Sequence, residues 1–460
     1  MSTAIQGSAP VFGAAAAVRP VREAVYRAVW RWHFYAGLLC LPFLVTLSVT
    51  GALYLFKDEI NATMFAARTT VAAQPTELLS PDRLIFNATQ AVPDGVPVSY
   101  TDPAEDTAAA IVTLTEGSRK ILVSLDPYTG NVLDRVDRDG EVFMIVRRLH
   151  SLAYFGPVAN GVIEVVAGFA IILVVTGTYL WWPRGQEGGV VSVRGTPRRR
   201  VWWRDLHAVT GVVAGGGLFF LALTGLPWSI WWGAQLRSWS NAAGLGQPAA
   251  LWANLPVSNV PMGEMLATAG WTMRDAPAPQ SQAIGVAVAD MGVDRATAIL
   301  ASLGMPRGYE LSLPVGARGI YAAAAYPHDV TRQRMVSLDQ YTGRPLVDVH
   351  FSDIGPVARW VQFGIGIHKG EHWGRANQLV MLVFCLATIL LSVTAATMWW
   401  KRRPRGGLGV PPWPRDRRTA ATVTVIVLGL GALFPLTGLA IVAMLGLDLA
   451  LTRALRRRAA

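Results

Sequence analysis

The chain has 460 residues, of which 52% are hydrophobic and only 15% are charged, which excludes an ordinary soluble enzyme and indicates an integral membrane protein. A net charge of +11 would suit a nucleic-acid-binding protein, but the basic residues cluster beside long apolar runs. We therefore predict no nucleic-acid partner and expect contact with membrane lipid.

Four apolar runs are each long enough to cross a bilayer, which takes about 20 helical residues. They lie near residues 33–56, 161–182, 207–232 and 376–400. A fifth run, 419–452, fits either one long helix or a hairpin broken near Phe434-Pro435, so five or six spans are open. We favour the hairpin, because it returns the C-terminal arginines to the side of the other basic segments.

The basic segments predict the orientation by the positive-inside rule. They are residues 19–31, 184–204 and 401–418. The N-terminus is thus expected in the cytoplasm, with a first span that is retained rather than cleaved as a signal peptide. The longer polar regions, 57–160 and 233–375, are expected on the opposite side.

The two halves of the chain share their spacings. His33 and His207 each lie 17 residues before a Thr-Gly pair, and His150 and His368 each lie 31 residues before a Trp-Trp pair. The octapeptide at 123–130 recurs at 336–343 with seven of eight positions identical, and its Asp-x-Tyr-Thr-Gly core predicts a turn between two strands. These coincidences predict an internal duplication.

The predicted fold is a mainly α-helical integral membrane protein with four core transmembrane helices, one or two C-terminal spans and two external α+β lobes. A cytoplasmic tail (1–23) is predicted to precede a first repeat (24–183), which consists of a span, a lobe at about 57–145 and a second span. A cytoplasmic loop (184–206) then leads to a second repeat of the same kind (207–401), with its lobe at about 235–365. A second cytoplasmic loop (402–418) and a C-terminal transmembrane segment with a basic tail (419–460) complete the chain.

Because the two repeats share one orientation, His33 and His207 are predicted at one depth near the cytoplasmic face, and His150 and His368 at another near the external face. A single such histidine is explained by the interfacial belt of polar and aromatic residues. Two pairs of histidines, each at one depth of the membrane, indicate that the histidines bind a metal group instead. A polar side chain beside an apolar span costs free energy unless it has a partner.

Zinc and copper sites usually recruit Cys, Met, Asp or Glu as well, whereas two histidines on separate helices suit a b-type haem. We predict two haem b groups with the four histidines as axial ligands to iron, and no covalent attachment, because Cys-x-x-Cys-His is absent from the sequence. We assign no catalytic residue.

Basic residues beside each pair are candidates for the haem propionates, or equally side chains that reach the lipid headgroups. We call His33 and His207 the inner pair, and His150 and His368 the outer pair. The candidates are Arg31 and Arg204 at the inner pair, and Arg147, Arg148, Lys369 and Arg375 at the outer pair. His372 follows His368 by one helical turn and is an alternative outer ligand or a substrate contact. Glu164, an ionisable residue in the second span, receives no role.

The chain resembles the PepSY-associated transmembrane family, also called iron-regulated membrane proteins of the bacterial inner membrane. The resemblance covers about residues 25–445 and rests on the order and spacing of several motifs. These are Trp32-His33-x-x-x-Gly37, Thr50-Gly51-Ala52-Leu53, Leu149-His150-x-Leu152, Asp205-Leu206-His207-x-x-x-Gly211, Thr224-Gly225, the two Asp-x-Tyr-Thr-Gly turns and His368.

The resemblance implies PepSY-like periplasmic lobes and a role in iron acquisition, in which an inner-membrane oxidoreductase with two b-type haems reduces ferric siderophores and releases Fe(II). It implies that His33 and His207 hold the cytoplasmic-side haem and His150 and His368 the periplasmic-side haem. The cytoplasmic loops carry no nicotinamide or flavin motif, so a cytoplasmic reductant or a membrane quinol must donate electrons. Two alternatives are a non-enzymatic protein that binds or regulates a periplasmic partner, and a metal or siderophore transporter.

Overall fold

Helices make up most of the described fold, and an eight-stranded and a two-stranded antiparallel sheet accompany them. The structure is a computed structural model that describes residues 13–185, 188–266, 269–282, 289–404, 409–411 and 416–459. The start of the predicted cytoplasmic tail and parts of both predicted cytoplasmic loops lie outside the described residues.

The helices, in chain order, are α1 (Gly13–Leu55), α2 (Lys57–Met64), α3 (Ala66–Thr69), α4 (Pro81–Ala91), α5 (Val142–His150), α6 (Pro157–Trp181), α7 (Arg200–Gly225), α8 (Trp231–Ala242), α9 (Met262–Met265), α10 (Gly270–Met273), α11 (Val293–Ser302), α12 (Pro356–His368), α13 (Arg375–Arg402), α14 (Arg417–Leu433) and α15 (Pro435–Ala459). The strands are β1 (Val96–Thr101), β2 (Ala110–Glu116), β3 (Arg119–Leu125), β4 (Val132–Asp137), β5 (Val257–Pro261), β6 (Pro277–Pro279), β7 (Glu310–Ser312), β8 (Ile320–Ala325), β9 (Arg334–Asp339) and β10 (Pro345–His350).

Four helical segments among the described residues are long and apolar enough to cross a membrane. They are Glu23–Leu55, Pro157–Trp181, Arg200–Trp228 and Arg375–Arg402. Each overlaps one of the four predicted spans, which supports a membrane protein. The apolar C-terminal segment is interrupted at Phe434, where the sequence predicts a break, and Pro435 begins the next helix.

The described residues fall into two compact units, here called the helical unit and the sheet unit. The helical unit comprises the described residues within Met1–Ser48, Gly161–Leu223 and Phe384–Ala460, and the sheet unit comprises those within Val49–Asn160 and Thr224–Val383.

In the helical unit, α1 and α6 pack through a buried cluster that includes Trp32, Ala36 and Phe169. The C-terminal helices join this unit through small residues. A Cβ placed on Gly168 of α6 would lie 2.2 Å from Oγ1 of Thr437 on α15, so only glycine permits this approach.

The sheet unit contains one eight-stranded antiparallel sheet in the order β10-β9-β8-β7-β1-β2-β3-β4. The two predicted lobe regions each supply four consecutive strands, and β1 pairs with β7, with Tyr100 opposite Leu311. They therefore form a single sheet. Helices α4 and α11, one preceding each set of strands, cap each other: the Asp82 backbone N–H donates to Asp294 (2.8 Å) and the Asp294 N–H donates to Asp82 (3.3 Å).

Both predicted Asp-x-Tyr-Thr-Gly turns are present, between β3 and β4 and between β9 and β10. The Asp126 carboxylate accepts a backbone hydrogen bond from Tyr128 at 2.8 Å, and the Asp339 carboxylate accepts one from Tyr341 at 3.0 Å. The closing glycine of the first turn, Gly130, has a φ of +73°, which a residue with a Cβ adopts only with strain.

The part of the sheet formed by β8, β9 and β10 buries both of its faces. Along β8, Tyr321 and Ala323 point into a core shared with α4 and α11, while Ile320 and Ala322 point into a second core shared with α10 and α12. The second core holds α12 against the sheet, and the last residue of α12 is His368.

Candidate functional site

The four repeated histidines form two pairs in the structure. In the helical unit, the ring centres of His33 and His207 lie 6.4 Å apart, with an angle of 82° between the ring planes. In the sheet unit, the ring centres of His150 and His368 also lie 6.4 Å apart, at 89°. The structure thus brings together the residues that the sequence pairs between repeats.

The two pairs occupy different kinds of position along the helices. His33 and His207 lie inside the membrane-spanning helices α1 and α7. His150 and His368 are instead the last residues of α5 and α12, which precede the spanning helices α6 and α13. Gly370, with a φ of +74°, reverses the chain after His368.

A threonine hydroxyl lies beside Nδ1 of every histidine in these pairs. The Oγ1–Nδ1 distance is 2.9 Å for Thr176 and His33, 2.9 Å for Thr394 and His207, 2.9 Å for Thr50 and His150, and 2.8 Å for Thr224 and His368. Each threonine is on a different helix from the histidine it contacts. The contacts therefore fix both the ring orientation and the packing of two helices.

In the inner pair, the hydroxyl protons have other acceptors. Thr176 donates to the carbonyl of Ile172 at 2.6 Å, and Thr394 donates to the carbonyl of Leu390 at 2.9 Å. Because each hydroxyl has only one proton, its remaining contact with the imidazole must accept the Nδ1 proton. His33 and His207 are thus held as the Nδ1–H tautomer, and Nε2 carries the free lone pair.

The separation of the rings fits one metal ion between two imidazoles. An imidazole nitrogen binds a transition metal at about 2 Å and lies about 1.1 Å from its own ring centre, so two rings in line with one ion have centres about 6.2 Å apart. Both observed separations are 6.4 Å.

The donor set also bears on which metal group would fit. Across the described part of the chain, no three His, Cys, Asp or Glu side chains gather as a metal site. Two imidazoles alone suit a metal that brings its own equatorial ligands, which is the ligation of a b-type haem. His33, His207, His150 and His368 are the residues that would hold two such groups.

His368 is kept neutral by its surroundings. The protein packed around the ring, followed by the nearby His150 and Lys369, lowers the pKa of His368 to about 3. Only the neutral imidazole has a lone pair for a metal, so this residue is ready to ligate at physiological pH.

Small residues follow two of these threonines and leave room for the rings. A Cβ on Gly177, next to Thr176, would lie 3.2 Å from Cε1 of His33. A Cβ on Gly225, next to Thr224, would lie 3.9 Å from Cε1 of His368. Gly177 is therefore the tighter of the two contacts.

The alternative outer ligand, His372, lies elsewhere. Its ring packs at 4.9 Å from Phe363 and 4.9 Å from Trp373, and its Nδ1 is buried with no hydrogen-bond partner among the described residues. The structure brings His368, and not His372, to His150.

The predicted propionate partners make contacts within the protein. Arg31 donates to the Pro411 carbonyl and to the Tyr35 hydroxyl. The other contacts are Arg204 with Asp205 (2.9 Å), Arg148 with Asp139 (3.0 Å), Arg375 with Glu59 (2.7 Å) and Lys369 with Glu371 (2.7 Å); Arg147 contacts the Met144 sulfur at 3.2 Å. Carboxylates thus hold most of these cations beside the histidine-bearing helices.

The sequence patterns give the four threonines no role. Thr50 and Thr224 enter those patterns only as spacing markers, and Thr176 and Thr394 do not enter them at all. A signal is present, because Thr176 follows His150 by 26 residues and Thr394 follows His368 by the same 26. Nothing in the sequence says that each threonine contacts a histidine from another helix.

Four long apolar helices and paired histidines together define an integral membrane protein with two candidate metal-group sites. The family model for the PepSY-associated TM region matches residues 30–402. The chain therefore belongs to this family. No curated protein matches the chain significantly.

Proposed function

We propose that this protein is an oxidoreductase of the bacterial inner membrane that carries electrons outward through two b-type haems and reduces ferric siderophores in the periplasm. The observation that carries the proposal is the pair of bis-histidine sites, each with ring centres 6.4 Å apart and each ring oriented by a threonine. Membership of the PepSY-associated TM region family supports a membrane protein of the iron-regulated class.

When bound, b-type haem supplies reversible one-electron chemistry at iron. The chain supplies the rest. The histidines would hold the haem iron, the threonines would fix which imidazole nitrogen faces it, and the apolar helices would keep water from the inner site. Tight packing and threonine hydrogen bonds limit movement of the ligands, which suits electron transfer because little reorganisation is then needed.

The redox balance needs one electron for each ferric ion. We propose that a cytoplasmic reductant or a membrane quinol donates it on the inner side and that the ferric siderophore accepts it on the outer side. Hard oxygen ligands bind Fe(III) better than Fe(II), so reduction promotes release of the metal. In this proposal the N-terminus is cytoplasmic, and the sheet unit comprises two PepSY-like lobes of a duplicated chain on the periplasmic side.

The test is reoxidation of the purified, haem-loaded protein. After anaerobic reduction, ferric citrate or a ferric trihydroxamate should reoxidise the Soret and α bands, and a ferrous-specific chelator should trap Fe(II). The gallium complex of the same ligand is the control, because Ga(III) accepts no electron under these conditions.

A protein that binds no haem would contradict the proposal and favour a partner-binding protein. Reduced haem that neither ferric complex reoxidises would also contradict it, and substrate accumulation in vesicles without reduction would favour a transporter.

A further inference from the structure

A cleft with a volume of about 450 Å³ opens on the sheet unit beside the start of β9 and the end of β10. The cleft is shallow and open to solvent, so a ligand in it would stay partly exposed. It is lined by Gly304, Met305, Pro306, Arg307, Thr331, Arg332, Gln333, Arg334 and His350. These lining residues include three arginines and a histidine but no carboxylate.

Two of the arginines are held by carboxylates outside the lining. Arg334 forms a bidentate ion pair with Asp348, at 2.9 Å and 2.7 Å, and only 10% of its side chain is exposed. Arg307 contacts Asp106 at 2.6 Å and donates to the Pro103 carbonyl at 3.1 Å. Their guanidinium groups are therefore fixed, with much of their charge already balanced.

Arg332 differs from both. It is exposed, and within the described residues its guanidinium makes no hydrogen bond or direct ion pair, although hydrogen bonds from Thr331, and then the charge of Arg332, lower the pKa of the nearby Asp329. Its backbone is nevertheless ordered by the 3₁₀ turn Val330–Arg332, which the Asp329 carboxylate caps by accepting from the Thr331 N–H at 3.0 Å. A cation on a fixed backbone whose hydrogen-bond donors are not taken up by a carboxylate is available to an anionic ligand.

The same turn contacts the helix that ends in His368. A Cβ placed on Gly366 of α12 would lie 2.8 Å from Cγ1 of Val330, so the turn packs directly on the helix at this glycine. Gly366 precedes His368 by two residues. The turn beside the cleft therefore packs on α12, the helix that carries His368 of the outer pair.

We propose that this cleft binds an anionic ferric chelate whose organic ligand carries carboxylates, with Arg332 as the residue that contacts the carboxylate. The inference rests on the proposed function and narrows its substrate class. The Arg332 guanidinium and the side-chain amide of Gln333 can donate hydrogen bonds to carboxylate oxygens. A positively charged chelate would instead be repelled by Arg332, whose guanidinium is bound directly by no carboxylate in the described part of the chain.

Binding of gallium(III) citrate to the full-length, haem-loaded protein, measured by isothermal titration calorimetry, tests this inference without any redox step. Arg332→Gln is expected to weaken binding at least fivefold, because it removes a charge-assisted hydrogen bond. Arg318→Gln is the matched control: Arg318 is also exposed in the sheet unit, and it does not line the cleft. This variant should bind like the wild type.

A further probe defines the ligand. The positively charged gallium complex of a linear trihydroxamate should bind more weakly than gallium(III) citrate, because it offers Arg332 no carboxylate. Equal affinity of wild type, Arg332→Gln and Arg318→Gln, or binding of the trihydroxamate complex as tight as that of gallium(III) citrate, would overturn the inference. Such a result with intact haem spectra and siderophore reduction would leave the proposed function standing, whereas a haem-free protein would refute that function by itself.

Discussion

The hydroxyl of Thr394 lies 2.9 Å from Nδ1 of His207 and donates its own proton to the Leu390 carbonyl, also at 2.9 Å. One threonine therefore bonds to its own helix and at the same time fixes the tautomer of a histidine on another. Thr176 does the same for His33 in the other half of the inner site.

Replacing Thr394 with valine should weaken haem binding at the inner site. The shape is nearly kept, but the acceptor for the Nδ1 proton is lost, and loss of such a partner typically costs about 10- to 100-fold in metal affinity. Haem titration of the apoprotein measures the effect, and Thr394→Ser should restore most of the affinity.

The matched control is Thr397→Val. Thr397 is on the same helix and donates to the Val393 carbonyl at 2.8 Å, but it contacts no histidine in the described structure. If Thr394→Val and Thr397→Val bound haem equally well, the threonine would have no part in orienting His207.

Gly177→Val should displace His33 from its pair. A Cβ there would lie only 3.2 Å from the ring, and the branched side chain of valine adds further atoms on that side. The inner haem should be lost while the outer one remains, as judged by haem content per protein.

Gly216→Val is the control for a branched residue in a membrane helix, because no atom lies within 4 Å of a Cβ at Gly216. Full haem content in Gly177→Val would show that the ring tolerates the added volume and that the close contact does not matter.

Asp205→Ala should destabilise the helical unit. The Asp205 side chain is fully buried and accepts from Arg194 at 2.8 Å and from Arg204 at 2.9 Å, tying the preceding segment to α7 two residues before His207. Because both arginines are partly exposed and can regain water, we expect a loss of about 1 to 3 kcal/mol. A melting temperature within error of the wild type would contradict this role.

The pair of Asp58 and His328 predicts a pH dependence. The two side chains meet at 3.2 Å, and the hydrogen bond to Asp58 raises the pKa of His328 above 6.5 while it lowers the pKa of Asp58. The raised histidine pKa means that this stabilisation is present at about pH 6 and is lost as the pH rises through the pKa of the folded state. Both groups are largely exposed, so the effect is small.

Asp58→Asn should therefore lower the melting temperature more at about pH 6 than at about pH 8.5. A difference between variant and wild type that is the same at both values would show that the ion pair does not stabilise the protein.

The sequence predicted the four spanning helices well, because runs of about 20 consecutive apolar residues are rare outside membrane-spanning helices. It also predicted the turns at Asp126 and Asp339, where local hydrogen bonds decide the conformation. It did not predict the pairing of β1 with β7, since residues such as Tyr100 and Leu311 are far apart in the chain and many apolar strands could pair.

The candidate site shows the same contrast. The spacing of His33 and His207 indicated a pair, because a duplication constrains depth. The choice between His368 and His372 needed the structure, since both lie near the end of α12 and only the reversal at Gly370 separates their positions.

The most direct measurement is the haem content of purified protein by pyridine haemochrome assay, for wild type, His33→Ala, His150→Ala and the double variant. We predict two b-type haems in the wild type, one in each single variant and none in the double variant. A wild type without haem after expression with adequate haem supply, or single variants that keep both haems, would contradict the assignment of two bis-histidine haem sites.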